Sequence, residues 1–422
     1  MKLFRIIGVV AVAVCLLQAE GQAQSSTKIL LNNATIIDGN AKVLPRIGAV
    51  LIDKGKVRQV SYGKPVKVSK GTTVIDCTGK FIAPGMTDAH VHLATLDLHD
   101  EKKARRTTDS ILFNMIRHGI TTVRDMAGDA RFLTVLSKAA EQENLYSPSI
   151  FYAAQFAGAD YFRMMNAGRK GRELEGNTPW AKIISDTSDI IKAVAAAKAC
   201  GVTGIKIYAD LSAALVLKIT QEAHRQGLLA WSHAAVNPAL PADIAAAGVN
   251  SMSHANDLLF QQFPAGTDLG KVWEAIYKGL KADAAQLFPV LATMKKNRIY
   301  FDPTLFHNGN NNLKNAAVIA RWAHEMGIQM VAGTDWIYPT SNQPVPLMNE
   351  LQHLIKEAGL TNAETIQAAT WNGARVTGLK DRGLIRKGMR ADLLILDADP
   401  LQNTDAMFSP SMVIRKGVLI EF

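Results

Sequence analysis

The chain has 422 residues, of which 48% are hydrophobic and 20% charged, with 15 prolines and 31 glycines. This composition excludes a disordered, collagen-like or low-complexity protein, and it supplies enough apolar material for two or three domains of about 150 residues each. The 47 basic residues outnumber the 37 acidic residues, which gives a formal net charge of +10. Because no run of five or six basic residues stands out, we expect no nucleic-acid partner.

The N-terminus has the layout of a secretory signal that is cleaved. Two basic residues precede the apolar run Ile6 to Leu17, and small and polar residues follow it up to Ala23. Even when it is extended to Ala19, a helix of this run would reach only about 21 Å, which is too short to cross a bilayer. We therefore expect residues 1–23 to be a signal peptide, with export to the periplasm or the medium and no stable membrane insertion after cleavage.

Short β-type runs, separated by Gly, Asn and Asp, occur at both ends of the remaining chain. They are Ile29–Leu31, Ala49–Ile52, Val57–Val60 and Thr73–Ile75 at the N-terminal end, and Ala391–Leu396 and Met412–Arg415 at the C-terminal end. Regularly spaced short strands with turn residues between them are typical of a β-sandwich. We therefore expect a composite β-sandwich domain of residues 24–83 and 384–422 that encloses a larger insertion.

The insertion, residues 84–383, alternates apolar strands with helical stretches. Candidate strands end near His92, Asp125, Gln155, Tyr208, His233, His254, Thr304 and Asp335. Helical patterns lie between them, for example at residues 215–226 and 316–326, and the Asn-rich stretch 308–312 is predicted to be a loop. Eight strand–helix repeats predict an α/β fold, a (β/α)8 TIM barrel inserted in the split sandwich.

The C-terminal ends of these strands carry the residues of chemical interest, because active sites of such barrels lie at that face. They are His90 and His92 on strand 1, Lys206 on strand 4, His233 on strand 5, His254 on strand 6 and Asp335 on strand 8. His90 and His92 point to the same side of their strand, so both can bind one metal ion. The pair alone is weak evidence, since ten histidines in 422 positions give roughly 0.2 such pairs by chance.

Each of these residues taken alone has a plain structural explanation. His233 and His254 could be buried core histidines, Asp335 a helix N-cap and Lys206 a surface lysine. Their common position on one rim is hard to assign to separate structural causes. The six other histidines fall in predicted loops or helices and are interpreted as surface or hydrogen-bonded side chains: His99, His118, His224, His307, His324 and His353.

Several motifs resemble those of the amidohydrolase superfamily, over essentially the whole mature chain. They are Lys80–His92, Thr121–Asp125, Gly204–Ile207, Ser253–Ala255, Ala332–Asp335, Ala368–Ala374 and Gly388–Leu393. Within this superfamily the chain looks closest to the imidazolonepropionase-related branch that contains Xaa-Pro and similar dipeptidases. The resemblance implies a barrel inside a split β-sandwich, in agreement with the strand pattern, and a binuclear metal centre.

The resemblance also implies roles for the rim residues. The ligands would be His90, His92 and Asp335 for the more buried of two divalent ions, and His233 and His254 for the more exposed one. Lys206, carboxylated by carbon dioxide, would bridge both ions, because a lysine ammonium has no lone pair whereas a carbamate supplies two anionic oxygens. The carbamate forms only from the neutral amine, so the site must depress a pKa that is ordinarily ~10.4. Imidazole and oxygen ligands suit zinc, with manganese, cobalt or iron left open.

The implied reaction is hydrolysis of an amide bond by a hydroxide that the two metal ions share. Asp335 would accept the proton of the water and deliver it to the leaving amine, as general base and then general acid. Tyr208 lies on the same strand face as Lys206, and it would either donate a hydrogen bond to the oxyanion or pack as a barrel aromatic.

Two departures from the dipeptidase pattern leave the substrate open. Residues 155–160 stand where many dipeptidases of this branch carry Gly-Gly-His, and Pro346–Asn349 lacks the histidine often found before the Glu-Leu of the next helix. A basic loop after strand 3 contains Arg163, Arg169, Lys170 and Arg172. This loop either binds a substrate carboxylate or is a solvated basic surface.

We therefore expect an exported metal-dependent hydrolase of a small amide or peptide substrate, with a dipeptide or an N-acyl amino acid as the preferred reading. The first alternative is a cyclic amide or lactone hydrolase on the same metal centre. The second is a catalytically inactive binding protein, which the complete ligand set disfavours because a binding protein has no need of the proton-shuttling Asp335. Assembly into a homo-oligomer stays open.

Overall fold

The computed structural model describes residues 28–94, 100–142, 146–167, 176–307, 309–336 and 345–422, with the backbone alone for residues 309–312. The predicted signal peptide at residues 1–23 lies outside this description. So do Arg169, Lys170 and Arg172 of the predicted basic loop. In the described part of the chain, no helix combines the length and the apolar character needed to cross a bilayer.

The strands and helices follow one another as the alternating sequence pattern predicts. The strands are β1 (Ile29–Ile36), β2 (Arg46–Asp53), β3 (Lys56–Ser61), β4 (Thr73–Asp76), β5 (Phe81–Pro84), β6 (Met86–Val91), β7 (Ile120–Asp125), β8 (Ser149–Ala157), β9 (Ala181–Ile183), β10 (Gly204–Ile207), β11 (Leu229–His233), β12 (Ser251–Ser253), β13 (Tyr300–Asp302), β14 (Leu393–Leu396), β15 (Met412–Arg415) and β16 (Val418–Ile420). The α-helices are α1 (Glu101–Arg117), α2 (Ala130–Gln142), α3 (Ala159–Asn166), α4 (Ile190–Ala199), α5 (Ala213–Arg225), α6 (Pro241–Ala247), α7 (Leu269–Tyr277), α8 (Ala284–Lys296), α9 (Gly309–Glu325), α10 (Pro346–Lys356), α11 (Asn362–Gln367) and α12 (Gly373–Val376).

Strands from both ends of the chain form one hydrogen-bonded sheet, which we call the end sheet. Its order is β16-β15-β14-β5-β1-β2-β3, with β4 paired to β1. The antiparallel pairing of β14 with β5 sets Leu393 opposite Pro84 and so joins the C-terminal segment to the N-terminal one. Both segments contribute to one apolar core, in which Leu31, Ile82 and Ile414 are buried. The domain boundaries near residues 84 and 383 stay a prediction.

Parallel strands form the second sheet, in the order β13-β12-β11-β10-β8-β7-β6, with β9 paired to β8. The eighth barrel position is taken by residues 329–336, which pair through backbone hydrogen bonds without forming a regular strand. On one side the N–H of Val331 donates to Phe301 O at 2.9 Å. On the other side the N–H of Asp335 donates to His90 O at 2.9 Å. These bonds close the barrel, and the predicted TIM-barrel fold is confirmed.

Amphipathic helices surround the barrel because one face of each is apolar. In α5, for example, Leu215, Val216, Ile219 and Ala223 are buried at the spacing of one helix face. The predicted loop at residues 308–312 was wrong from residue 309 onward, because α9 begins there. The later turns of α9 bury Ala316, Ile319, Ala320 and Ala323. Their packing stabilises the helix and outweighs the low helix propensity of the asparagines in its first turn.

Glu141, in the last turn of α2, connects the barrel to the end sheet. Its carboxylate accepts a hydrogen bond from Ser149 Oγ at 2.6 Å and lies 3.2 Å from Arg390 Nη1 and 3.6 Å from Lys416 Nζ. Burial works toward a higher pKa for Glu141, but the hydrogen bond from Ser149 and the charge of Arg390 outweigh it and lower the pKa to about 2. The folded protein therefore favours the ionised form of this carboxylate.

We expect Glu141→Gln to lower the free energy of unfolding by about 1 kcal/mol at pH 7, a figure discounted for solvent screening of a carboxylate that is 39% exposed. The pKa in the folded state lies below the ordinary value of 4.5, so the stabilisation is complete above that pH. It is lost as the pH falls from about 4.5 toward 2. Denaturant unfolding of both proteins at pH 7 and pH 3.5 measures the effect.

The matched control is Glu325→Gln, at an exposed carboxylate in the last turn of α9. The difference in the free energy of unfolding between wild type and Glu141→Gln should be smaller at pH 3.5 than at pH 7. The control should stay near the wild-type value at both pH values. A pH-independent difference, or an equal loss in the control, would contradict the assigned role of Glu141.

Candidate metal centre

The structure brings the six predicted ligands together at the C-terminal rim of the barrel. His90 and Lys206 lie within β6 and β10, His233 ends β11, His92 and His254 directly follow β6 and β12, and Asp335 lies in the closing segment. The ring centroids of His90 and His254 are 5.1 Å apart, and those of His233 and His254 are 4.6 Å apart. Side chains that are up to 245 residues apart in sequence therefore face one small volume.

Asp335 is at the centre of this group. Its Oδ1 atom lies 2.9 Å from His92 Nε2 and 3.2 Å from His90 Nε2, and its Oδ2 atom lies 3.8 Å from His254 Nδ1. One donor atom each from His90, His254 and Asp335 fall within 4.8 Å of one another. Ligand atoms about 2 Å from a zinc ion lie roughly 3–4 Å from each other, so this group has the spacing of a metal site.

The protonation states of three of the four imidazoles fit a cation. For His92, burial works toward a lower pKa, but the hydrogen bond to Asp335 outweighs it and raises the pKa. Burial lowers the pKa of His90, His233 and His254 well below its ordinary value, so these imidazoles are neutral and keep a lone pair. Burial works toward a higher pKa for Asp335, but the neighbouring imidazoles, His90 and the hydrogen-bonded His92, hold that pKa well below its usual range. The buried Nε2 atom of His90 makes no hydrogen bond within the described residues. A divalent metal ion would satisfy it.

Lys206 is fully buried beside these ligands. Its Nζ atom donates a hydrogen bond to Ser253 Oγ at 3.0 Å. Burial lowers the pKa of Lys206 to about 7, so a large fraction of the side chain is the neutral amine at neutral pH. The neutral amine is the form that reacts with carbon dioxide. The lowered pKa of Lys206 therefore meets the requirement for a carbamate on this side chain.

Tyr208 packs beside the same group. Its ring centroid is 4.5 Å from that of His233 and 5.3 Å from that of Tyr161. Its hydroxyl donates to the backbone oxygen of Met126 at 3.0 Å. In this arrangement the phenol hydrogen is already used, so a role at an oxyanion would need that hydrogen bond to change, and this role stays a prediction.

Two of the candidate ligands have an unusual backbone. His254 has φ +72° and Asp335 has φ +51°, and Thr304 nearby has φ +48°. Positive φ is uncommon for residues other than glycine and costs about 1–3 kcal/mol each, so it persists only where the surroundings impose it. The N–H of His254 donates to Asp302 O at 2.9 Å, which holds this conformation in place. Strained backbone at a shared rim is a common property of functional sites.

Buried carboxylates brace the loops around the ligands. Asp88 Oδ2 accepts from Thr334 Oγ1 at 2.8 Å, which ties β6 to the closing segment. Asp125 accepts from the backbone N–H groups of Leu93 and Ala127, at 2.5 and 3.1 Å. Burial raises the pKa of Asp88 to about 7 and that of Asp125 to about 6. These bonds hold the strand ends that carry the candidate ligands.

Two residues that the sequence did not predict contact the group. His307 Nδ1 lies 3.3 Å from Asp335 Oδ2, although the side chain is 58% exposed and was interpreted as a surface histidine. Asp302 Oδ2 lies 2.7 Å from His90 Nδ1, at the end of β13. Asp302 had a detectable signal, since it is an acidic residue at the end of a predicted strand, whereas His307 follows that strand in a loop and had none.

Two segments bear on the substrate class, residues 155–160 and the predicted basic loop, and the structure describes the first and part of the second. Gln155 is buried, and its Nε2 atom donates to Tyr161 Oη at 2.9 Å. Arg163 is exposed and forms an ion pair with Asp160. The amide of Gln155 therefore contributes to the packing of α3 onto β8, and Arg163 belongs to the solvated surface.

Comparisons with known proteins agree with this architecture. A crystal structure of a Xaa-Pro dipeptidase with methionine bound in its active site superposes with a TM-score of 0.74 at 20% identity, covering 94% of this chain and 100% of that one. A prolidase crystallised with N-methylphosphonate-L-proline gives a TM-score of 0.72 at 20% identity, again with 94% of this chain and 100% of the other. These likenesses establish the fold.

A third relative is similar in sequence over a short segment. The chain is 31% identical over 99 residues to a dihydroorotase of Thermoanaerobacter sp. (strain X514), which covers 24% of this chain and 21% of the relative. The chain thus matches about a fifth of that protein's length. The model of the amidohydrolase family matches residues 81–420. Because that match covers most of the sequence, the protein belongs to the amidohydrolase family and is a hydrolytic enzyme.

Proposed function

We propose that the protein is an exported hydrolase that uses two divalent metal ions, most suitably zinc, to cleave the amide bond of a dipeptide or an N-acyl amino acid. The observation that carries this proposal is the convergence of neutral imidazoles and an aspartate carboxylate beside a buried lysine amine. The dipeptidase and prolidase among the structural neighbours support cleavage of an amide bond. Export rests on the N-terminal sequence pattern.

The rim residues divide into two ligand sets. One ion would be held by His90, His92 and Asp335, the other by His233 and His254, with the carbamate of Lys206 between them. When bound, the ions polarise the substrate carbonyl and lower the pKa of a water molecule toward ~7. The donor set of imidazole nitrogen and carboxylate oxygen is one that zinc prefers.

Asp335 is the residue that would move the proton. Its Oδ1 atom accepts a hydrogen bond from His92 Nε2 at 2.9 Å, whereas its Oδ2 atom lies 3.3 Å from the exposed His307. Oδ2 is therefore the atom that accepts a proton from the attacking water and delivers it to the leaving nitrogen. With 12% of its side chain exposed, Asp335 can reach a substrate that enters from the rim.

A cyclic amide or lactone is the second candidate substrate class. The 31% identity to a dihydroorotase over 99 residues favours it, and the same ligand set would serve. Substrate class is decided by residues that line the mouth, since one fold supports many activities.

Replacing Asp335 with Asn should lower turnover about 10²–10⁴-fold, because the amide cannot accept the proton. The measurement is release of primary amine from a library of dipeptides and N-acyl amino acids by residues 24–422 loaded with zinc and bicarbonate. Zinc per chain is determined in parallel, so that loss of metal is distinguished from loss of the proton acceptor. Glu325→Gln, at an exposed carboxylate in the last turn of α9, is the control.

The substrate proposal has a clear contrary result. If wild-type protein holds two zinc ions yet releases no amine from any linear substrate, the proposed substrate class is wrong. Ring opening of cyclic amides or lactones by the same preparation would then establish the second candidate.

Replacing Lys206 with Ala should reduce zinc from two ions per chain to one or fewer, together with turnover, because the bridging carbamate is lost. Elemental analysis after equilibration with zinc and bicarbonate gives the ratio. Lys192→Ala, at an exposed lysine of α4, should keep the wild-type ratio. Retention of two tightly bound ions by Lys206→Ala would disprove the bridging role.

A further inference from the structure

A buried carboxylate lies beneath the candidate metal centre at a point where several strands meet. Asp302 ends β13, and its side chain is fully buried. Its Oδ2 atom lies 2.7 Å from His90 Nδ1, 3.1 Å from Ser253 Oγ and 3.4 Å from Arg124 Nη2. These partners belong to β6, β12 and β7, so one oxygen atom connects residues of four strands inside the barrel.

Arg124 supplies the charge that balances this carboxylate. Its side chain is fully buried, and its Nε and Nη1 atoms donate to Ala89 O at 2.5 Å and Ser251 Oγ at 3.2 Å. The guanidinium also lies over the ring of Trp231, 4.9 Å from the centroid. Burial raises the pKa of Asp302, and the charge of Arg124 opposes that rise. Because a guanidinium can only donate hydrogen bonds, Asp302 Oδ2 is the acceptor toward Arg124.

The directions of the hydrogen bonds around Asp302 follow from these contacts. With Asp302 Oδ2 as the acceptor, His90 carries its hydrogen on Nδ1, and its Nε2 atom keeps a lone pair for a metal ion. Ser253 gives its single hydrogen to Asp302, so its oxygen accepts the hydrogen bond from Lys206 Nζ at 3.0 Å. One carboxylate therefore orders hydrogens on two candidate metal ligands, one directly and one through a serine.

We propose that Asp302 and Ser253 are positioning residues for the metal centre: Asp302 sets the tautomer of His90, and Ser253 sets the orientation of the Lys206 nitrogen. The inference rests on the proposed binuclear centre. Addition of carbon dioxide to the neutral amine forms one N–C bond and releases one proton, so the carbamate nitrogen keeps one hydrogen. That hydrogen continues to donate to Ser253, which leaves both carbamate oxygens free for the ions.

The closing segment leaves no room for other side chains at this point. A Cβ atom on Gly333 would lie 2.3 Å from Asp302 Oδ1 and 2.8 Å from His90 Cβ. Only glycine therefore allows Asp302 and His90 to stay in contact beneath Asp335. This close packing explains why the Ala332–Asp335 motif contains a glycine, and it connects the motif to Asp302 and His90.

The first test compares two buried Asp→Asn variants at the same rim. Asp302→Asn should raise the dissociation constant for zinc about 10–100-fold, the usual effect of losing a partner of a ligating histidine. The control is Asp257→Asn, at a buried carboxylate that accepts from the backbone N–H of Ala235, and it should stay near wild type. Zinc affinity is measured by competition with a chelator, and the visible absorption of cobalt(II)-loaded protein reports the ligand geometry.

The second test addresses the hydrogen bond between Lys206 and Ser253 alone, and it does not require that Asp302→Asn folds. Ser253→Ala keeps the bond between Asp302 and His90 but removes the acceptor for Lys206, so more bicarbonate should be needed for half-maximal zinc loading. Ser251→Ala is the matched control, because Ser251 is buried on the same strand and accepts a hydrogen bond from Arg124. Its bicarbonate requirement should equal that of wild type.

The outcomes separate this inference from the function on which it rests. Failure of wild-type protein to bind zinc would overturn the metal centre itself. Two zinc ions in wild type, with unchanged affinity in Asp302→Asn or an equal loss in Asp257→Asn, would overturn the role of Asp302 alone. An unchanged bicarbonate requirement in Ser253→Ala would overturn the role of Ser253.

Discussion

The hydrogen bond from the backbone N–H of Asp335 to the carbonyl oxygen of His90, 2.9 Å long, closes the barrel and also assembles the candidate site. Closure brings the segment of residues 329–336 against β6, and the side chains at the two ends of that bond then lie within 3.2 Å of each other. A barrel needs this last pairing to satisfy the backbone groups of its first and seventh strands. The fold and the site therefore depend on the same contact.

Burial at the rim has opposite effects on the two kinds of ionisable group. It lowers the pKa of His90, His233 and His254 and that of Lys206, and so favours the neutral forms that suit metal binding and carbamate formation. It also makes carboxylates costly, because an ion loses its hydration there. The structure offsets that cost with backbone donors at Asp125 and with Arg124 at Asp302. The site consequently combines a reactive centre with a rigid frame.

The likeness to a dipeptidase and a prolidase concerns the frame more than the mouth of the barrel. The strands superpose on those of the structural neighbours, but residues 155–160 stand where many dipeptidases of the predicted branch carry Gly-Gly-His, and the amide of Gln155 donates to Tyr161 Oη. Recognition of a substrate is therefore expected to differ from that of these neighbours, since specificity depends on a few polar groups at the mouth. The family match supports a hydrolytic enzyme.

The sequence by itself determined the α/β barrel and the six residues at its rim, because strand alternation and the position of strand ends are local properties of the chain. Only the tertiary structure decided which of these groups touch. The contact of His90 with Asp302 joins residues 212 apart, and that of Lys206 with Ser253 joins residues 47 apart. His307 and the start of α9 were missed for the same reason, since neither has a local signal. Contacts across the barrel depend on its closure, and no periodicity in the sequence records which residues meet there.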